Sequence, residues 1–250
     1  MSDVILTVKA LKLMIKNKPL IDDLDFSINK GEFLAISGIR GSGKTALIKS
    51  LLGIIADGLS GEILYHGIGK SDVTYIPQDA MDLKDDFLGT AREIIALGLI
   101  SKKQGRPIDA IDWKKVDDIL IAFRLDDVKD KKINKLTQWQ QFKVKMARAI
   151  ITDPKIIFID DPTTAVNTKS KSELYKIMKE ISQDMNITVV LILPDIKGIL
   201  PLADKILFLH KKDNTHYFGP PSGFVLPEKE SPKKTTTVKK ESTAKVKNKK

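Results

Sequence analysis

Cysteine is absent from all 250 residues, which removes disulfide scaffolds, thiolate nucleophiles and Cys-ligated metals and fits a reducing compartment. Three histidines leave little for a His-rich metal site. Aromatics are sparse, and only two are tryptophans, so each tryptophan needs a reason for its place. Nowhere do about 18 apolar residues run together, so no segment is expected to cross a membrane. The opening MSDVILTVKALKL has neither an uninterrupted apolar stretch nor a small-residue cleavage pattern, and no signal peptide is expected.

What is present is a soluble composition, 42% hydrophobic and 30% charged, long enough to bury one full core with room for a small subdomain or a tail. The net charge of +10 would suggest nucleic acid or an anionic membrane if it were spread evenly. It is not. Residues 231–250 hold eight Lys and one Glu, so the other 230 residues are close to balanced. With only Val238, Ala244 and Val246 as apolar residues, that stretch cannot offset ordering entropy, and 223–250 is expected to be a disordered Lys-rich tail. Attraction of the tail to anionic lipid or RNA is the functional alternative. The near-neutral body, without interleaved basic and aromatic residues, argues against nucleic acid as a partner.

Short apolar runs recur at 4–8, 33–37, 73–76, 156–160, 188–193 and 205–209. Four are almost continuously apolar, the pattern of strands covered on both faces of a parallel sheet. Helical stripes lie between them at 45–55 and 171–182, and strand–helix alternation predicts an α/β fold. Asp25–Ile28 and Glu62–Tyr65 read as short alternating strands of an antiparallel layer. Residues 79–135 carry helical runs and no convincing strand, which predicts an inserted helical subdomain.

GIRGSGKT, Gly38 to Thr45, matches G-x-x-x-x-G-K-S/T in full, after a predicted buried strand and before a predicted helix. Glycines let the backbone curl so that successive N–H groups converge on phosphate oxygens at a helix N-terminus. The cradle residues are Gly38, Ile39, Arg40, Gly41, Ser42, Gly43, Lys44 and Thr45. Lys44 would reach terminal phosphates, and the Thr45 hydroxyl would take one Mg2+ position. In KIIFIDDPTT, Asp160 ends a predicted strand as the candidate Mg2+-side carboxylate.

Together these residues resemble the nucleotide-binding domain of the ATP-binding cassette (ABC) family, over about residues 4–222. LTQWQQFKVKMARAIITDPKIIFIDDPTTAVN aligns without a gap to the family pattern LSGGQ-QQRVAIARAL followed by the strand and DEPTSALD. The resemblance implies a P-loop NTPase fold with an antiparallel β subdomain and a helical subdomain at about 79–139, and ATP and Mg2+ as cofactors. It also implies a homodimer or heterodimer with another ABC domain, and membrane permease subunits. The chain would then sit peripherally on the cytoplasmic face of the cell membrane. YIPQD places Gln78 at the Q-loop glutamine, which in the family touches Mg2+ and the attacking water and couples to the membrane subunit. The adenine-stacking aromatic aligns with Ile15 or Met14, which offer apolar contact without a ring.

The departures bear on hydrolysis. The family's catalytic Glu is here Asp161, one methylene shorter, which draws its oxygens about 1 Å away from the water. The switch histidine is Pro194, with Asp195 still in step, and proline offers no hydrogen-bond donor. The D-loop aspartate is Asn167. The signature reads Leu136, Thr137, Gln138, Trp139, Gln140, so both glycines that lay backbone against a partner subunit's phosphate are replaced. The indole of Trp139 is expected either to enter the cleft or distort the loop, or to pack on the helical subdomain. The resulting expectation is an ATP-binding transporter subunit with weak or lost hydrolysis. TAREIIALGLI and HYFGPPSGFV most resemble importers of metal ions or metal chelates. The alternative is a non-catalytic ABC-type scaffold or clamp in a larger assembly.

Overall fold

Two sheets of different character carry the chain in a computed structural model that describes residues 3–78, 89–103, 105–166, 168–210 and 215–226. The first is antiparallel and three-stranded, in the order β2-β1-β4, built from β1 (Val4–Ile15), β2 (Lys18–Asn29) and β4 (Leu59–Tyr65). The second has six strands in the order β5-β6-β7-β3-β8-β9. Its members are β3 (Phe33–Gly38), β5 (Val73–Ile76), β6 (Ile156–Asp160), β7 (Thr188–Ile192), β8 (Lys205–Leu209) and β9 (His216–Gly219). All pair in parallel except β9, which runs antiparallel to β8.

The larger sheet explains the continuous apolar runs. Phe33 and Ala35 of β3 join one core while Leu34 and Ile36 join the other, and β6, β7 and β8 divide their residues in the same alternation. One core lies under the later helices and the other under the antiparallel sheet and the helix Lys44–Leu51, so both faces must be apolar. By contrast, β1 and β2 are far longer than the expected 4–8 and 25–28. Ala10 at φ 46° and a register shift between Val8 and Leu11 break the alternation that sequence reading relies on. Lys16 and Asn17, both left-handed, close the hairpin between them as a two-residue turn.

The described residues hold the α-helices α1 (Lys44–Leu51), α2 (Ala91–Ala96), α3 (Ile100–Lys103), α4 (Ala110–Ala122), α5 (Gln138–Ile150) and α6 (Thr168–Asp184). The stripe expected to run to 55 stops early because Gly53, at φ 69°, turns the chain, and Ile54 and Ile55 both bond back to the Lys49 carbonyl. Thr90 with Glu93, and Asp109 with Asp112, form capping boxes that start α2 and α4. Between Gly89 and Thr137 the described residues contain helices and short turns, with the single bridge Thr90–Lys132 as their only sheet-like pairing. The helical unit expected at 79–139 falls there, with 79–88 outside the described residues. At the other end Phe224 packs on Phe208 and Tyr217, each at 5.2 Å between ring centroids, so packed chain continues past the expected tail start at 223. The Lys-rich stretch itself lies outside the described residues.

The N-terminal base of β3 is fastened by side chains. Thr188 accepts from the Gly31 N–H at 3.0 Å and Asp204 from the Phe33 N–H at 2.8 Å. Ser182 donates to the Gly31 carbonyl at 2.6 Å, and Lys205 pairs with Glu32 at 2.9 Å.

Candidate functional site

Because β3, β6 and β7 are parallel neighbours, Gly38, Asp160 and the chain leading to Pro194 all emerge at the same C-terminal edge, where open α/β sheets hold ligands. Gly38 leaves β3 at φ 151°, and a Cβ there would stand 2.4 Å from the Leu209 carbonyl oxygen. Gly43, at φ 96°, is the N-cap of α1 and supplies no capping side chain, so the first-turn N–H groups are left for an anion. Ser42 tucks inward, its hydroxyl buried without a partner, while Ile39 and Arg40 are exposed on the outer rim. The Lys44 ammonium reaches across the loop to donate to the carbonyls of Gly38 and Ile39, at 2.8 and 3.1 Å. Burial pushes its pKa down, and Asp160 and Asp161 pull the other way.

Asp160 is 3% exposed. Its Oδ1 accepts from the Thr45 hydroxyl at 3.4 Å, and its Oδ2 is shut from solvent with no hydrogen-bond donor. Burial raises its pKa above the ordinary carboxylate range, with the Thr45 hydroxyl opposing and the Asp161 charge adding. An orphaned carboxylate oxygen beside a hydroxyl, next to a phosphate cradle, is a donor set suited to a hard divalent cation. The residues present therefore fit Mg2+ and a nucleotide phosphate.

Asp161 stands differently. Its backbone is left-handed, φ 36° and ψ 71°, and its carboxylate accepts from both the N–H and the hydroxyl of Thr163, capping the turn Pro162–Ala165. Its own N–H bonds the Ile192 carbonyl at 3.2 Å. One carboxylate oxygen is thus committed to the loop that carries it. Pro194 lines a separate cleft of about 360 Å3 with Thr163, Tyr175 and Asp195. Asn167 lies outside the described residues. Gln78 is exposed just after β5.

At the start of α5 the helix is regular. The Thr137 hydroxyl accepts from the Gln140 N–H at 3.2 Å, and the Gln140 side chain accepts from the Thr137 N–H at 3.0 Å. Of the two expected placements for the indole, in the cleft or distorting the loop, or packed aside, its contacts are those of packing. Trp139 is partly buried against the helical core, stacked on Phe142 at 5.8 Å, with its N–H donating to Glu173 of α6 at 3.1 Å. Gln138 points to solvent.

The ABC transporter family profile matches residues 21–164, more than half of the chain. The chain belongs to the ABC transporter family. The "Probable metal transport system ATP-binding protein" of Thermotoga maritima is 28% identical over 216 residues, covering 86% of this ABC chain and 85% of that protein. The "High-affinity zinc uptake system ATP-binding protein ZnuC" of Bacillus subtilis is 26% identical, covering 83% and 91%. Among solved structures, cbiO1 of Clostridium perfringens, part of the ABC transporter complex cbiONQ, superposes with a TM-score of 0.77 at 24% identity, covering 88% and 90%. ABC membership carries ATP binding with it, and ABC ATP-binding subunits of transport systems work with membrane permease subunits. No helix among the described residues of this ABC chain is long and apolar enough to cross a membrane.

One neighbour of the ABC phosphate loop was not visible in the sequence. Leu20 comes from β2, and its Cγ lies 2.9 Å from where a Gly43 Cβ would stand. It lines a shallow pocket of about 290 Å3 together with Gly41, Lys44 and Thr45. Ile15, expected near the base, is 44% exposed beside the hairpin turn, paired with Lys18. Only the pairing of two strand arms puts Leu20 at the loop, and no local pattern reports that.

Proposed function

We propose that this chain is the ATP-binding subunit of an importer of metal ions or metal chelates, binding ATP with Mg2+ at a dimer interface and hydrolysing it slowly. The observation that carries the reading is the buried, partnerless Asp160 Oδ2 beside Thr45 and the glycine-shaped loop. Gly38 to Thr45 bind the phosphates through backbone N–H groups and Lys44, while Thr45, Asp160 and Gln78 hold the cation. When bound, Mg2+ supplies positive charge against the phosphate oxygens and lifts the desolvation penalty on Asp160. Thr137 and the turn through Gln138, Trp139 and Gln140 face a partner subunit's nucleotide, and Ile15 gives the base an apolar contact.

Geometry supports slow hydrolysis. Asp161 is short and turned into its own cap, and Pro194 brings no donor, so neither holds water in line with the terminal phosphate. The import of metals is supported by the relatives that carry metal and zinc uptake in their names. An apolar cleft of about 740 Å3, walled by the end of α1, β4 and β5 near Gln78, is where a permease segment would rest, holding the chain on the cytoplasmic face.

The committed carboxylate of Asp161 also favours a second reading, a non-catalytic ABC scaffold or clamp. ATP titration by calorimetry with and without Mg2+, followed by a turnover assay, tests the first. No Mg2+-dependent ATP binding, or turnover near or above about 1 s⁻¹, defeats it. Co-purification in mild detergent separates the readings, with membrane permeases supporting the importer and soluble machinery supporting the scaffold.

A further inference from the structure

A side chain near the start of an α-helix leans back toward the N-terminus. The indole of Trp139, at the second position of α5, would therefore lie over the first-turn N–H groups that the helix itself cannot use. Its contacts tie it to one side: Glu173 Oε2 of α6 accepts its N–H at 3.1 Å, and Phe142 of α5 itself stacks against it with 15° between planes. Lys143 closes the arrangement. It is 6% exposed, with its ammonium 5.9 Å from the indole centroid and donating to the Arg124 carbonyl at 3.1 Å.

We propose that Glu173 is a positioning residue for the turn Leu136–Gln140. By accepting the indole N–H it holds Trp139 against α6 and leaves the first-turn N–H groups of α5 that the Thr137 cap does not take open to a phosphate of a partner subunit's ATP. The inference rests on the proposed role of that turn in a dimer. It explains how a bulky residue can stand where the family has glycine: the obstruction is parked by a hydrogen bond from a neighbouring helix.

Two measurements on the full chain test it. In a Trp113→Phe background, where Trp139 is the sole tryptophan, Glu173→Ala is expected to red-shift indole emission and increase its quenching by acrylamide. Glu173→Gln, which keeps an acceptor oxygen, is expected to retain the wild-type emission. Unchanged emission in Glu173→Ala overturns the proposal. The second measurement is ATP-driven self-association by sedimentation. Glu173→Ala is expected to weaken it about tenfold when Trp139 is present and to leave it unchanged in a Trp139→Gly background, where there is nothing to hold aside. Equal weakening in both backgrounds overturns the positioning role in favour of a plain packing role. If no chain, wild type included, associates with ATP, the dimer reading falls and with it the purpose of the open turn. The emission result then still decides whether Glu173 holds the indole.

Discussion

The two sides of one strand edge differ in what their polar groups are free to do. On the phosphate-loop side, the Asp160 oxygen, the Ser42 hydroxyl and the uncapped first turn of α1 are directed inward and left without protein partners. On the hydrolytic side, the equivalent capacity is consumed locally: one Asp161 oxygen by Thr163, and the Thr137 hydroxyl by Gln140. Unsatisfied buried polar groups are costly, and a fold keeps them where a ligand completes them. The contrast describes a site shaped to bind nucleotide and poorly shaped to cleave it.

The largest effect should come from removing the charge on the binding side. Lys44→Ala is expected to weaken ATP binding by about 100-fold or more, the scale of losing a partly buried charge-assisted contact, as read by calorimetry. If affinity survives, the loop is a structural turn and the comparison collapses. Next, Asp161→Glu restores the missing methylene. Turnover in a single-turnover assay is expected to rise by about tenfold, short of the ~10²–10⁴ of a fully placed base because Pro194 still supplies no donor. An unchanged rate would place the block in the signature turn rather than in the carboxylate.

Asp160→Asn sharpens the comparison from the stability side. It removes a buried charge with one oxygen left without a hydrogen bond, so the nucleotide-free protein is expected to gain up to about 2 kcal/mol and melt several degrees higher, while Mg2+-dependent stabilisation by ATP disappears. The sign with pH follows from the raised pKa of Asp160. The folded state binds that proton more tightly than the unfolded state, so the cost is full above the folded pKa and is relieved as pH falls through it. The melting advantage of Asp160→Asn should therefore shrink on acidification. A constant advantage would mean that the carboxylate is not the source. The smallest effect is expected from Thr137→Ala, which deletes the cap of α5 and should cost about 1 kcal/mol, read by denaturant unfolding.

Much of this is legible in the sequence. The phosphate loop is local, and its glycines, Lys44 and Thr45 declare themselves by spacing. Asp160 was legible because a two-sided apolar strand ends on it. The antiparallel layer is legible but its strands read short, since the shift around Ala10 disguises the period. Leu20 at the loop, Glu173 beneath the indole and Thr163 on the Asp161 carboxylate all depend on which elements meet or how one turn closes. Only Thr163 lies close enough in sequence to have been suspected, two residues after a strained aspartate.

The fastening at the foot of β3 has a mechanical consequence. Thr188, Ser182, Asp204 and Lys205 grip the chain at Gly31 to Phe33, whereas the far end of the same strand opens into the glycine loop. The strand is thus held by side chains most densely at its foot, with the Ser37 hydroxyl donating to the Leu193 carbonyl at its far end. Sliding of β3 along its length would break these bonds together, so a push from nucleotide at the loop end is expected to pass sideways into its neighbours β7 and β8.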